Sequence, residues 1–122
     1  MNWIEDTLRR FGKNMGLGGL SFNEDGVCCL EMERTGELYI EQREEDVFVY
    51  LARQVPYPEA SLLRKALGLV HFRNGYPLPV AAGVKGDDRL IFVTWVDGRD
   101  FSLPVLEDAF RLLKNLFARL NS

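Results

Sequence analysis

Reactive side chains are scarce in this sequence. It has a single histidine, His71, and only two cysteines, the neighbours Cys28 and Cys29. His71 has no carboxylate or cysteine at ligand spacing, and an adjacent cysteine pair lacks the separated donors that zinc requires. A nucleophilic thiol wants a nearby base or a helix amino terminus, and a position inside a strand offers neither. Adjacent strand residues point to opposite faces, so the two thiols are poorly placed to bridge each other. A disulfide framework is therefore not expected, and a reducing cytoplasm is the natural compartment. No phosphate loop is present. Gly16-Leu17-Gly18-Gly19 leaves a helix and enters a strand, whereas phosphate loops run from strand to helix. Basic excess is missing too: 15 Lys and Arg face 18 Asp and Glu, a net charge of −3. That argues against nucleic acid as a partner, as does the absence of aromatics interleaved with Lys or Arg. No apolar run approaches membrane-spanning length, so stable membrane insertion is not expected. Met1 to Asp6 has neither the basic nor the apolar region of a signal peptide. No motif asks for a cofactor, and no residue set reads as catalytic.

What is present is apolar surface in a regular order. The chain has 122 residues, 47% of them hydrophobic, which suits one folded domain over 1–122. Residues 2–15 read as an amphipathic helix, with Ile4, Leu8, Phe11 and Met15 at helical spacing and Trp3 beside them. Gly16, Gly18 and Gly19 stop it. Three strands follow, over 27–33, 38–42 and 47–53, with a turn at Thr35-Gly36 and another at Glu44-Glu45-Asp46. A second helix is expected over 59–72, closed by Asn74-Gly75. Gly68 in its interior is either simply tolerated, at a cost of about 1 kcal/mol against alanine, or allows close approach of another backbone. Strands over 79–85 and 89–96 come next, then a helix over 103–120, capped by Ser102 or Asp100. The fold class is α+β, in the order α-β-β-β-α-β-β-α, with a twisted, mostly antiparallel sheet and three helices.

Two strands are apolar on both faces. Val47, Val49 and Leu51 oppose Phe48, Tyr50 and Ala52; Leu90, Phe92 and Val96 oppose Ile91, Val93 and Trp95. Such strands are covered on both sides or carry a binding surface. The second helix is apolar around most of its circumference. Three helices mostly cover one face of a small sheet, so the surplus implies a permanent partner across the second helix and a groove for an extended peptide.

The order of elements resembles the class I chaperones of bacterial type III secretion, the CesT/SycE-like fold. The resemblance is carried by the first helix and by Met15-Gly16-Leu17, then Leu20-Ser21-Phe22-Asn23-Glu24-Asp25-Gly26-Val27-Cys28. Within that family the SycN-type members are most similar, through Trp3-Ile4-Glu5, Leu38-Tyr39-Ile40-Glu41-Gln42, Tyr50-Leu51-Ala52-Arg53, Ser102-Leu103-Pro104-Val105-Leu106 and Ala109-Phe110. The glycine-rich 16–19 segment and Tyr76-Pro77-Leu78-Pro79 look like local departures.

The resemblance implies a dimeric, cytoplasmic chaperone that uses no ATP. It would bind the extended N-terminal segment of a secreted protein, of the gatekeeper type that plugs the secretion channel, and keep it export-competent. The partner is a second small chaperone of the same fold, giving a heterodimer, or another copy of this chain, giving a homodimer. Client contact is expected from Trp3, Ile4, Leu8, Phe11, Leu30, Tyr39 and Phe48. The dimer is expected to form through Leu62, Leu63, Ala66, Leu67 and Val70 of the second helix, with Val80, Ala82 and Val84 beside them. Two other readings compete: an α/β interaction module that binds a folded partner, and a small enzyme using Cys28 or Cys29 with His71.

Overall fold

A computed structural model describes residues 3–55, 60–71, 74–86 and 88–120. The first helix, α1 (Trp3–Asn14), buries Ile4, Leu8 and Phe11 along one stripe. It ends where Gly16 takes a φ of 77°. There the Leu17 N–H donates to the Gly12 carbonyl at 2.7 Å and the Gly16 N–H to Lys13 at 3.1 Å. This paired reversal satisfies carbonyls that the helix end would otherwise leave open.

Strands β1 (Val27–Met32), β2 (Gly36–Arg43) and β3 (Asp46–Gln54) form an antiparallel meander. Asn23 prepares the entry, its side-chain oxygen accepting the backbone N–H groups of Asp25 and Val27 at 2.8 and 3.0 Å. Helix α2 (Ala60–Leu69) is shorter than the sequence suggested. Its last carbonyls are taken by side chains from beyond the turn. Asn74 Nδ2 donates to Gly68 and Leu69 at 3.1 and 2.8 Å, and the Tyr76 hydroxyl donates to Leu69 at 2.7 Å. The expected limits Glu59 and Phe72 lie outside the described residues. A Cβ on Gly68 would meet nothing within 4 Å, so among the described residues no backbone outside α2 approaches it.

Strands β4 (Val80–Lys85) and β5 (Arg89–Asp97) complete a five-stranded antiparallel sheet in the order β1-β2-β3-β5-β4. A short 3₁₀ turn, Gly98–Asp100, leads into α3 (Leu103–Leu120). Ser102 caps α3, its hydroxyl accepting the Val105 N–H at 3.3 Å. The pairing of β3 with β5 joins the two halves of the chain.

The register decides which side of the sheet is core. Leu30, Leu38, Leu51 and Phe92 stand in one row across the strands, with Cys28, Ile40, Val49 and Thr94 in the next. These residues are buried together with Leu8, Phe11, Leu106, Leu113 and Phe117 of the helices. Phe92 meets Phe117 edge-on at 4.9 Å, and Phe11 meets Phe110 at 5.9 Å. Arg53 falls on the same side. Its guanidinium lies 4.6 Å above the Phe117 ring and its Nε donates to the Thr35 carbonyl at 2.7 Å.

Candidate partner-binding surfaces

No described helix packs on the other sheet face. Residues alternate across a strand, so packing the row through Val49 and Leu51 inward turns Phe48 and Tyr50 outward. Across the register they align with Trp95 and Val93 of β5, with Tyr39 of β2 beyond Tyr50, while Ile91 stands opposite Ala52. The Tyr39 and Tyr50 rings stack at 4.7 Å, 10° from parallel, and Phe48 lies 6.3 Å from Trp95. A shallow depression of about 220 Å³ opens among Glu41, Arg43, Phe48, Tyr50, Ile91 and Val93. Apart from Tyr39, which its neighbours bury, these aromatic and aliphatic side chains are half-exposed.

Several charges around this face are paired within the chain. Tyr39 donates to Glu37 at 3.2 Å, and Glu37 pairs with Arg89. Tyr50 donates to Glu41 at 3.3 Å, with Arg43 3.8 Å from the same carboxylate. The Lys85 ammonium lies 3.8 Å from the centre of the Tyr39 ring. Burial, then the Glu41 charge, pushes the Tyr50 phenol up to about 12. Burial likewise raises Tyr39. Both tyrosines therefore stay neutral donors, and the face offers apolar contact between neutralised edges.

The seven residues expected to touch a client fall in three places. Tyr39 and Phe48 are on the open face. Trp3 is 56% exposed at the start of α1. Ile4, Leu8, Phe11 and Leu30 are core residues, no more than 6% exposed. Their assignment to a surface is corrected: the α1 stripe packs into the core beside α3, and Leu30 shares the helix-covered row with Leu38. The open face also contains Tyr50, Ile91, Val93 and Trp95, which the expected set omitted. Their signal was already in the two-sided apolarity of β3 and β5.

On the α2 side, Leu67 and Val84 are 58% and 44% exposed. Leu62, Leu63, Val70, Val80 and Ala82 are half-buried, leaning on the core. Ala66 is 1% exposed, so its place in a dimer surface is corrected: it is the α2 residue that seats the helix on the core. Strand β4 beside it pairs with β5, and among the described residues no strand pairs with its outer edge.

Cys28 is buried, and that burial, with the neighbouring Cys29, pushes its thiol up, away from the reactive thiolate. Cys29 is exposed on the open face and His71 is exposed beyond α2. Among the described residues, no three His, Cys, Asp or Glu side chains gather as metal ligands. No described helix is long and apolar enough to cross a membrane.

The sequence pattern of the family described as "Type III secretory system chaperone SycN" matches residues 3–120. The chain belongs to this family of type III secretion chaperones. Chaperone protein SycN of Yersinia enterocolitica is 31% identical over 117 residues, 95% of this chain and 94% of the relative. Its Yersinia pseudotuberculosis counterpart matches to the same extent. Among solved structures, a chain of the ExsC–ExsE complex superposes with a TM-score of 0.75 at 14% identity, covering 94% of this chain and 90% of that one. A chain of the heterodimeric ExoU–SpcU complex of Pseudomonas aeruginosa gives 0.67 at 16%, covering 93% of each. The Yersinia pestis chaperone SycH, solved with a fragment of YscM2, gives 0.65 at 14%, covering 94% and 98%. At those identities the likeness establishes the fold. The SycN family and the class I chaperone architecture that the sequence suggested are therefore its own.

Proposed function

We propose that this chain is an ATP-independent chaperone that binds the extended N-terminal segment of a secreted protein, of the gatekeeper type, and keeps it ready for export. The observation that carries this reading is the helix-free sheet face, where Phe48, Tyr50, Ile91, Val93 and Trp95 stay half-exposed between internally paired charges. An unfolded segment is best held by a broad apolar surface plus a strand edge, since its ordering costs entropy that one small pocket does not return. The outer edge of β1 beyond Val27, whose own backbone groups are taken by Asn23, supplies backbone groups for such pairing. The protein works by binding, not by chemistry, in the bacterial cytoplasm and at the periphery of the secretion apparatus.

The chain pairs through α2 and β4 with a second small chaperone of the same fold. Leu67 and Val84 are the most exposed apolar residues of that side, with Leu62, Leu63, Val70, Val80 and Ala82 around them. A homodimer through the same surface is the alternative assembly. Peptide truncation tests the client reading: affinity should be retained by an isolated, unfolded N-terminal segment of the secreted partner. Affinity that survives only with the partner's folded domain would replace this reading with an interaction module for folded proteins.

A further inference from the structure

A second cavity opens at the amino end of α1, apart from the depression on the sheet. It holds about 350 Å³ and is lined by Trp3, Ile4, the β2–β3 turn and the segment after β5. Its wall is built, not incidental. Trp3 Nε1–H donates to the Gly98 carbonyl at 3.3 Å, and the Gly98 N–H donates to the Glu45 carbonyl at 2.7 Å. These bonds join helix, hairpin and turn, and they hold the indole in place while Trp3 remains 56% exposed.

The rim is mostly acidic. Glu44, Glu45, Asp46 and Asp97 line the cavity, with Arg99 as the only cation among the described lining residues. Arg99 is committed to Asp97. Its Nε and Nη2 donate to the two carboxylate oxygens at 3.1 and 3.0 Å, and its backbone N–H donates at 2.9 Å. None of the ion pairs among the described residues reaches Glu44, Glu45 or Asp46. The cavity also continues the open face: Asp46 and Asp97 are cross-strand partners, two residues beyond Phe48 and Trp95 on the same side of the sheet.

An exposed indole face attracts a cation, and so do unpaired carboxylates at its edge. An anion would be repelled here, and an apolar side chain would desolvate the rim without pairing it. We propose that this cleft takes an arginine or lysine side chain of the bound segment. The cationic end lies between Trp3 and the carboxylates of Glu44, Glu45 and Asp46. The inference rests on the client reading above and adds a specificity to it: a basic residue a few positions from the apolar residues that cover Phe48 and Trp95.

The test uses the full chain, in the assembly in which it purifies, and two twelve-residue peptides. Their apolar and serine residues are identical; one carries a central arginine and the other citrulline, its neutral isostere. Binding is followed by NMR at the indole N–H of Trp3, with Trp95 reporting on the open face. The arginine peptide should bind about fivefold tighter at low salt and shift the Trp3 signal. That preference should disappear in the Glu44→Gln/Glu45→Gln double variant, whose exposed turn positions keep the fold intact. Equal affinities, or a preference unchanged in the double variant, would overturn the proposal while binding seen at Trp95 leaves the chaperone reading standing. Silence at both indoles would remove the client reading and the cleft with it.

Discussion

Leu67→Glu and Ala66→Glu alter neighbouring residues of one helix and should fail in different ways. Leu67 is 58% exposed in the protomer. Full burial of a leucine contributes about 1.5–3 kcal/mol, so covering what remains exposed is worth about 1–2 kcal/mol per protomer in a dimer. Leu67→Ala should therefore weaken assembly by roughly 5–30-fold in dissociation constant. Leu67→Glu adds a charge to be desolvated in the contact, at several kcal/mol, and should leave monomer at micromolar concentration. Neither change touches the core, so the monomer's thermal melt should keep its midpoint within a few degrees. Ala66 is 1% exposed against the core, and a carboxylate there should unfold the chain before any question of assembly arises. Sedimentation velocity paired with circular dichroism melts separates the two outcomes. Undiminished assembly in Leu67→Glu, with an unchanged melt, would show that α2 is not the dimer surface.

Three further outcomes follow from the geometry. Trp95→Ala should reduce affinity for an unfolded client segment by tenfold or more in calorimetric titration, with stability nearly unchanged, because Trp95 lies on the open face; equal affinity would remove that face from the binding surface. Gly36 has a φ of 113°, and a methyl group there would collide with the Ala52 carbonyl. Gly36→Ala should thus cost more than about 1 kcal/mol in urea unfolding, and a neutral result would contradict the β2–β3 register. The Tyr50 phenol titrates at about 12 in the fold and near 10 when unfolded. A raised folded pKa means its contribution is whole below pH 10 and is lost as pH climbs towards 12. Stability should fall over that window, and Tyr50→Phe should flatten the fall; an unchanged slope would refute the burial of that hydroxyl.

The strand faces were legible because alternation is a property of the chain itself. Val49 and Leu51 share one face and Phe48 and Tyr50 the other, whatever packs on them. What alternation does not say is which face meets the helices. A buried stripe on α1 announces burial without naming what buries it, and so Ile4, Leu8 and Phe11 looked equally suited to a client or to the core. Ala66 escaped for a related reason. Apolar residues cover most of α2, and periodicity alone does not choose the sector that seats on the sheet. Asn74 was legible as the residue that closes α2, but not that its amide and the Tyr76 hydroxyl reach back to the Leu69 carbonyl, where the helix ends. Alternation puts Arg53 on the face of Val49 and Leu51; what the sequence could not show is the Phe117 ring that arrives from the far end of the chain to receive its guanidinium.

The central claim is that this member of the SycN family holds an extended segment of a secreted protein within a small chaperone dimer. Native mass spectrometry of the tagged chain, drawn from its own cells, tests it most directly. The expected complex contains this chain, a second small chaperone of the same fold and a larger secreted protein. A lone monomer, isolated from cells that are actively secreting, would contradict the account.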